Sequence, residues 1–197
     1  MNRHLTPVCK TAILINGIPA SGKSTITRLL AETFSLPVLT IDGIKEPFMA
    51  RLAPVDRPMN RQLGCAAYEV IWSIVAASPA SMVWLIDAWF GFQPRETLQK
   101  LLRQAGVEQV IEIWNYISPE LAVARYASRL ATRPPGHPGE EYLPELAQLA
   151  GRAQPMSLGP LLTIDQQRPL EITAVIHWLE GTISGQRTGL ANYAYPS

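Results

Sequence analysis

The sequence has few charged residues and almost no excess of either sign. Lys and Arg number 17, Asp and Glu number 16, and the formal net charge is +1. Because so small a charge gives no general attraction to a phosphate backbone, we expect no nucleic-acid partner beyond what a local basic patch could hold. Charged residues make up 17% and hydrophobic residues 47% of the 197 residues. This balance excludes a disordered chain and favours one compact domain over residues 1–197.

Cysteines and long apolar runs are also scarce. Cys9 and Cys65 are the only cysteines, and they have neither metal-ligand spacing nor the pattern of a disulfide framework. No run approaches the ~18 apolar residues of a membrane helix. Residues 1–7 lack the apolar core of a signal peptide. We therefore expect no membrane partner and a cytoplasmic location.

Short apolar runs alternate with amphipathic stretches along the chain. The stretches repeat apolar residues at helical spacing, as Ile26, Leu30 and Phe34 do. This alternation predicts an α/β fold with a parallel sheet covered by helices on both faces. We place strands at residues 11–16, 38–41, 82–86, 109–114 and 161–164. Helices are predicted around 26–34, 63–77 and 98–104, from Ser118 onward, and at 172–179, with a flexible tail at 185–197.

Four of the predicted strands end in a polar residue. These residues are Asn16, Asp42, Asp87 and Asp165. Parallel α/β sheets place their sites at the carboxyl ends of the strands. We therefore expect the four side chains to gather at one edge of the sheet.

The segment GIPASGKS at residues 17–24 matches the phosphate-loop motif G-x-x-x-x-G-K-[ST] in full. Glycines let the backbone N–H groups face an anion at a helix N-terminus. Lys23 would reach the β- and γ-phosphates, and Ser24 would offer its hydroxyl to Mg²⁺. The motif indicates a bound nucleoside triphosphate but not its fate, since kinases, switch GTPases and ATPases share it.

Two aspartates and two aromatic residues each have two interpretations. Asp42 could orient an acceptor hydroxyl and take its proton, or cap a helix that begins at Gly43. Asp87 closes the apolar run MVWLI in the Walker B pattern and could serve a metal or the substrate. Trp89 and Phe90 follow it and could line an acceptor pocket, with a place in the core as the favoured alternative.

Arg125, Arg129 and Arg133 are spaced four apart, so on a helix they would share one face. Three guanidinium groups aimed at one place suit the charge of a phosphoryl group in transfer. The alternative is a solvated helix face. Because the Pro/Gly-rich segment RPPGHPG follows, we favour a hinged lid at about residues 125–150.

Taken in order, four segments resemble the chloramphenicol phosphotransferase and zeta-toxin-like small-molecule kinases. They are ILINGIPASGKSTITRLL, TIDGIKEPF, VWLIDAWFG and RYASRLATR. The resemblance covers roughly residues 12–180, and only its phosphate loop is specific. The lid reads RPPGHPGEEY, which departs from the chloramphenicol enzyme's pattern, so that acceptor is not carried over.

The resemblance implies a P-loop kinase-type sheet of five parallel strands in the order 2-3-1-4-5, with a small lid. It assigns the general base to Asp42, the acid after the third strand to Asp87, and the nucleobase loop to residues 165–169. The implied donor is ATP or GTP with Mg²⁺. The implied acceptor is a hydroxylated small molecule, such as an antibiotic (for example of the nucleoside type) or a nucleotide sugar.

We therefore expect a phosphotransferase that acts on a small molecule's hydroxyl, as a monomer or homodimer. The alternatives are a toxin-like nucleotide-sugar kinase and a regulatory NTPase without an acceptor. A guanine switch would carry an Asn-Lys-x-Asp segment, which the sequence lacks.

Site residues follow from these expectations. Catalytic roles are predicted for Lys23, Asp42, Arg129 and Arg133. Nucleotide contacts are predicted for Gly17, Ala20, Ser21, Gly22, Lys23, Ser24, Thr25, Arg125, Asp165 and Arg168. Substrate contacts are predicted for Asp42, Asp87, Trp89 and Phe90, and metal binding for Ser24 and Asp87.

Overall fold

The computed structural model describes Leu5 and residues 7–185; apart from Gly185, the predicted tail at 185–197 lies outside them. The strands are β1 (Thr11–Asn16), β2 (Val38–Thr40), β3 (Val83–Ala88), β4 (Gln109–Tyr116) and β5 (Leu161–Asp165). The helices are α1 (Lys23–Phe34), α2 (Ile41–Leu52), α3 (Arg57–Ala77), α4 (Arg95–Gln104), α5 (Pro119–Ala127), α6 (Leu143–Arg152) and α7 (Ile172–Ile183). Short 3₁₀ turns occupy Phe90–Phe92, Leu130–Thr132 and Glu140–Tyr142.

All five strands are parallel and form one sheet in the order β2-β3-β1-β4-β5. This confirms the predicted fold class and strand order. β1 lies at the centre, and every residue of its apolar, β-branched run is buried, as expected for a strand with neighbours on both sides and helices on both faces. Among the described residues, no helix is both long enough and apolar enough to cross a membrane.

Each face of the sheet has its own apolar core. Alternate side chains of β1 point to opposite faces, so Leu14 packs with side chains of α3 and α4 while Ile13 packs with those of α1 and α7. Both are 0% exposed. A third cluster, built by α5 and α6, includes Ile18 of the phosphate loop. The loop is therefore packed directly against these two helices.

Lys10 closes the bottom of the α3–α4 layer. Its side chain is buried, and its Nζ donates to the carbonyl oxygens of Val75 at 2.9 Å, Ala76 at 3.2 Å and Ala105 at 3.1 Å. These carbonyls belong to the C-terminal ends of α3 and α4, where backbone acceptors have no partner within the helix and a cation is favourable. The C-terminal end of α3 is thus held to the start of β1.

The helix expected to carry three arginines is shorter than predicted. It ends at Ala127, so Arg125, Arg129 and Arg133 do not share one helix face. Beyond it the backbone bonds tighten to three-residue spacing, with the Arg129 N–H donating to the Tyr126 oxygen at 3.1 Å. Pro134 disfavours helical backbone at Arg133 only, so it limits the 3₁₀ turn at Leu130–Thr132 and does not account for the end of α5 at Ala127.

Candidate active site

The phosphate loop connects β1 to α1 and requires glycine at two positions. A Cβ added to Gly17 would fall onto Ser21 Oγ and lie 2.9 Å from the Asn115 carbonyl oxygen. Gly22 precedes α1 with a φ of 79°, and an added Cβ would lie 2.5 Å from Gln166 Oε1. A side chain at position 17 would therefore displace the loop. At position 22 the neighbour is the end of a flexible side chain, and glycine is favoured there by its left-handed φ.

Lys23 occupies the first position of α1 and donates from Nζ to the Ile18 carbonyl oxygen at 3.0 Å. Burial lowers the pKa of its ammonium group. Two aspartates counteract this shift and two arginines reinforce it, so all four act on the same amine. The four residues are Asp87, Asp42, Arg129 and Arg133. The structure thus brings the predicted catalytic residues into one electrostatic neighbourhood.

Asp87 lies in β3 next to β1 and is 6% exposed. Its Oδ2 accepts a hydrogen bond from the Thr27 hydroxyl at 3.2 Å. Burial raises the pKa of this carboxyl, while Lys23 and hydrogen bonds from Ser24 and Thr27 act in the opposite direction. A carboxylate and a serine hydroxyl so close together are oxygen donors of the kind that Mg²⁺ prefers, so these residues fit the predicted metal.

Asp42 does not cap a helix. Strand β2 ends at Thr40, and the Thr40 hydroxyl accepts from the Gly43 N–H at 2.8 Å, so Thr40 caps α2 and Asp42 lies in its first turn. The Asp42 side chain is 60% exposed, and its Oδ1 lies 3.1 Å from the Nζ of buried Lys45. Burial tends to raise the pKa of Asp42, but Lys45, with help from His137 and Lys23, brings the pKa below its ordinary value. Asp42 is thus a carboxylate at neutral pH.

The segment predicted to be a lid, residues 125–150, is called the lid segment below, and it lies against α2 and α3. The amide of Asn60 donates to the Gly136 carbonyl oxygen at 2.6 Å. An added Cβ at Gly136 would lie 2.8 Å from Met49 Cε, so this contact is close. The Tyr126 hydroxyl of α5 donates to the Pro138 carbonyl oxygen at 2.8 Å. The Pro/Gly-rich part of the lid segment is therefore held by α3 on one side and by α5 on the other.

His137 joins the lid segment to α2 through a defined tautomer. Its Nδ1 lies 3.0 Å from Arg133 NH2 and its Nε2 lies 2.8 Å from Glu46 Oε1. Because a guanidinium can only donate, Nδ1 must accept and Nε2–H must donate to Glu46. Burial and the charge of Lys45 lower the pKa of His137, although Glu46 acts in the opposite direction. The neutral ring is thus the form that this arrangement requires.

We expect the lid contact to weaken as the pH falls. The unfolded chain takes up the histidine proton more readily than the folded one, so the stability from this contact is complete above the unfolded His pKa of about 6.5. It declines as the pH falls toward the lowered folded value. His137→Gln keeps one acceptor and one donor without a titration. Thermal unfolding should therefore show wild type losing about 1–2 kcal/mol relative to this variant as the pH falls. Parallel pH profiles would contradict this role of His137.

A cavity of about 470 Å³ lies on the other side of the phosphate loop. Five residues predicted to contact the nucleotide line it, namely Ala20, Gly22, Thr25, Arg125 and Arg168. Arg129, for which a catalytic role is predicted, and Gln166 also line the cavity. Arg125 donates to Gln166 Oε1 at 3.2 Å and to the Gln166 carbonyl oxygen at 3.3 Å. Asp165 lies 3.5 Å from Arg168 Nε. The loop after β5 thus meets α5 at the cavity.

Of the two aromatic residues predicted to contact substrate, Phe90 belongs to the core. Its side chain is 0% exposed and packs edge-on against Tyr68, with ring centroids 6.0 Å apart. The predicted substrate contact of Phe90 is therefore wrong, because the turn after β3 points this ring into the α3–α4 layer. Trp89 is half-buried and packs beside Trp114 at 6.0 Å.

Comparison with known proteins gives likeness in structure alone. No protein-family model matches the chain, and no curated protein matches its sequence. A solved structure from Chloroflexus aurantiacus J-10-fl, provisionally named a kinase, is 27% identical with a TM-score of 0.71 over 88% of this chain and 97% of that one. A gluconokinase from Sinorhizobium meliloti 1021 is 17% identical with a TM-score of 0.58, over 94% and 99%. A shikimate kinase from Acinetobacter baumannii, in complex with shikimate, is also 17% identical, with a TM-score of 0.53 over 92% and 97%.

The chain has the P-loop kinase fold. The matches extend over 88–94% of this chain and 97–99% of the three kinase chains. The specific chloramphenicol phosphotransferase or zeta-toxin family is not among the matches described above.

Within this P-loop kinase fold, four polar residues join the site without having been predicted. They are Thr27, Lys45, Glu46 and His137. The sequence could have indicated Thr27, because it lies one helical turn after Lys23 on α1 and so on the same face. Glu46 and His137 are separated by 91 residues in the sequence, so no local pattern joins them.

Proposed function

We propose that the protein is a kinase that transfers the γ-phosphoryl group of ATP or GTP to a hydroxyl of a small molecule. One observation carries the proposal. An exposed carboxylate, Asp42, stands within electrostatic reach of the phosphate-loop Lys23, together with Arg129 and Arg133. A pure NTPase needs the loop and the cations, but a carboxylate on the acceptor side is what a hydroxyl nucleophile needs.

Transfer would proceed in line from the donor to the acceptor. Asp42 orients the acceptor O–H, the hydroxyl oxygen forms a bond to the γ-phosphorus, and the bond from that phosphorus to the bridging oxygen breaks. The proton passes to Asp42 late in the reaction, because in a loose transition state the bond from the hydroxyl oxygen to phosphorus is barely formed and the O–H has gained little acidity. A carboxylate with a lowered pKa is suited to this orienting role.

Positively charged side chains stabilise the negative charge of the transferring phosphoryl group from two sides. Lys23 approaches from the phosphate loop, and Arg129 and Arg133 approach from the lid segment. Mg²⁺ would be held by Ser24 and Asp87, and when bound it neutralises charge on the phosphate oxygens. Thr27 keeps the Asp87 carboxylate turned toward α1 through its hydrogen bond.

The acceptor is proposed as a small polyhydroxylated molecule. Solved structures with this fold include a gluconokinase, a sugar kinase and a shikimate kinase, and two of these names denote hydroxylated acids. The resemblance in sequence adds hydroxylated antibiotics, including nucleoside types, and nucleotide sugars.

The test incubates the protein with γ-labelled ATP or GTP, Mg²⁺ and three acceptor panels. The panels hold sugars and sugar or cyclitol acids, hydroxylated antibiotics, and nucleotide sugars. We expect label on one acceptor, and the panel that contains it decides between a metabolic, a resistance and a toxin-like kinase. Label found only as inorganic phosphate would overturn the kinase proposal in favour of a regulatory NTPase.

Lys45→Met should move the acid limb of the kcat/KM profile to higher pH. Lys45 is the main group that lowers the pKa of Asp42, so without it the carboxyl takes up its proton sooner as the pH falls. The plateau rate above this limb should change by less than about threefold, because methionine has a similar length and Asp42 is ionised there. Lys100→Met, on α4, is the matched control. An unmoved limb in Lys45→Met would show that Asp42 does not govern the profile.

A further inference from the structure

Beneath the phosphate loop lies a buried carboxylate that none of the steps above uses. Glu112 stands in β4 beside β1 and is 0% exposed. Removing a carboxylate from water is costly unless its oxygens accept hydrogen bonds. Here both do. Oε1 accepts from Asn16 Nδ2 at 2.7 Å and from the Met156 N–H at 2.9 Å, and Oε2 accepts from the Ser157 N–H at 2.7 Å.

Glu112 decides which way the amide of Asn16 faces. Because a carboxylate only accepts, the amide must turn its nitrogen toward Glu112. Its Oδ1 then faces the other way and accepts from the Gly17 N–H at 2.8 Å and the Phe90 N–H at 3.1 Å. A reversed amide would place its NH₂ group against these two donors and its oxygen against the carboxylate, so all three hydrogen bonds would be lost.

The segments joined by this pair belong to different parts of the proposed reaction. Gly17 opens the phosphate loop, and Phe90 follows the strand that carries Asp87. Met156 and Ser157 lie in the connection that returns from α6, at the end of the lid segment, to β5. Ser157 has a φ of 51°, which is uncommon for a residue with a side chain, and its N–H is held by Glu112.

We propose that Glu112 is a positioning residue that, through Asn16, aligns the phosphate loop with the Asp87 strand end and the root of the lid segment. The proposal rests on the kinase function proposed above. It assigns to a single buried carboxylate the relative placement of three segments that have to meet around the donor phosphates.

The test first adds a carboxyl group at residue 16 and then, in a double variant, removes the one at residue 112. Asn16→Asp puts a second carboxyl at hydrogen-bond distance from Glu112, and two such groups cannot both be ionised, so one pKa rises strongly. While the shared proton is present, the new acid can donate to Glu112 and still accept from Gly17 and Phe90. Among the described residues, the other groups hydrogen-bonded to either side chain are N–H groups that do not titrate.

The readout is ADP affinity by calorimetry, expressed relative to wild type at each pH from about 5.5 to 8.5, with thermal unfolding in parallel. For Asn16→Asp we expect an ADP affinity close to that of wild type at the acid end of this range. At the alkaline end its ADP affinity should be lower than that of wild type by about tenfold or more. In the double variant Asn16→Asp/Glu112→Gln, the new amide donates to the new carboxylate. Its relative affinity should stay within about threefold of wild type at every pH. Its Tm should remain lowered, because the Met156 N–H has lost its acceptor.

Thr11→Val is the matched control. Thr11 lies in the same strand, is also 0% exposed, and its hydroxyl donates to Gln109 Oε1 at 3.1 Å, but it stands at the opposite end from the loop. We expect a lower Tm with unchanged ADP affinity. A pH-independent ratio for Asn16→Asp, or an equal affinity loss in Thr11→Val at the same loss of Tm, would overturn the proposal. If Asn16→Asp does not fold, failure of the double variant to bind would overturn it as well. Wild type that binds no nucleotide would instead refute the kinase function.

Discussion

Asp42→Asn should lower kcat for acceptor phosphorylation by about 10²- to 10⁴-fold. The amide can still lie near the acceptor hydroxyl, but it cannot accept the proton and offers only a neutral oxygen to orient it. Affinity for ADP should remain within about threefold of wild type. Thr40 rather than Asp42 caps α2, so the helix should keep its start. Steady-state rates with the identified acceptor, together with calorimetric binding of ADP, measure both quantities.

The control for this variant is Glu32→Gln. Glu32 is an exposed acid on α1, and its Oε1 lies 3.2 Å from Arg28 NH1. Its loss should leave kcat unchanged, because exposed ion pairs of this type contribute little. A kcat for Asp42→Asn near that of wild type would rule out Asp42 as the acceptor-side base. A loss confined to ADP affinity would place it on the donor side.

Lys23→Met should reduce kcat by about 10²- to 10³-fold and also weaken ATP binding. In the proposed reaction Lys23 is the loop cation that meets the donor phosphates, and the charges of Asp87 and Asp42 favour its charged form. Without it, the two carboxylates face the donor phosphates with compensation only from the lid arginines. The measurement is kcat with saturating ATP, followed by ATP affinity from the KM and from direct binding.

Lys100→Met provides the comparison, because Lys100 belongs to α4 and lines a separate cavity between α3 and α4. Lys100→Met should leave kcat and ATP affinity within about twofold of wild type. Equal losses in the two lysine variants would mean that net charge, and not the position of Lys23, determines donor binding.

Sequence predicted those parts of the fold that depend on neighbouring residues. The apolar run of β1, the glycines at 17 and 22, and the serine cap at Ser118 all act within a few residues, so their patterns could be read directly. The placement of Asp42 and Asp87 at one edge followed from the rule for parallel sheets. Strand β2 was correctly located but one residue too long, because Thr40 caps α2 before the strand pattern ends.

The remaining parts of the site depend on contacts that no local pattern encodes. His137 and Glu46 meet because the lid segment lies against α2, and Glu112 meets Ser157 because β4 and the α6–β5 connection are packed together. The prediction that the three arginines share one helix face was wrong. Four-residue spacing was read as one continuous helix, whereas α5 ends at Ala127 and the prolines after Arg133 restrict the chain only next to them.

The anchoring of α3 by Lys10 has a mechanical consequence. The helix has 21 residues, so it is about 31 Å long. Its C-terminal end is held by Lys10, while its N-terminal end carries Asn60, the partner of the lid segment, and leads back to α2 and Asp42. A tilt of α3 by about 5° about its held end would move the far end by about 3 Å. Such a tilt would be enough to break the hydrogen bond from Asn60 to the lid segment.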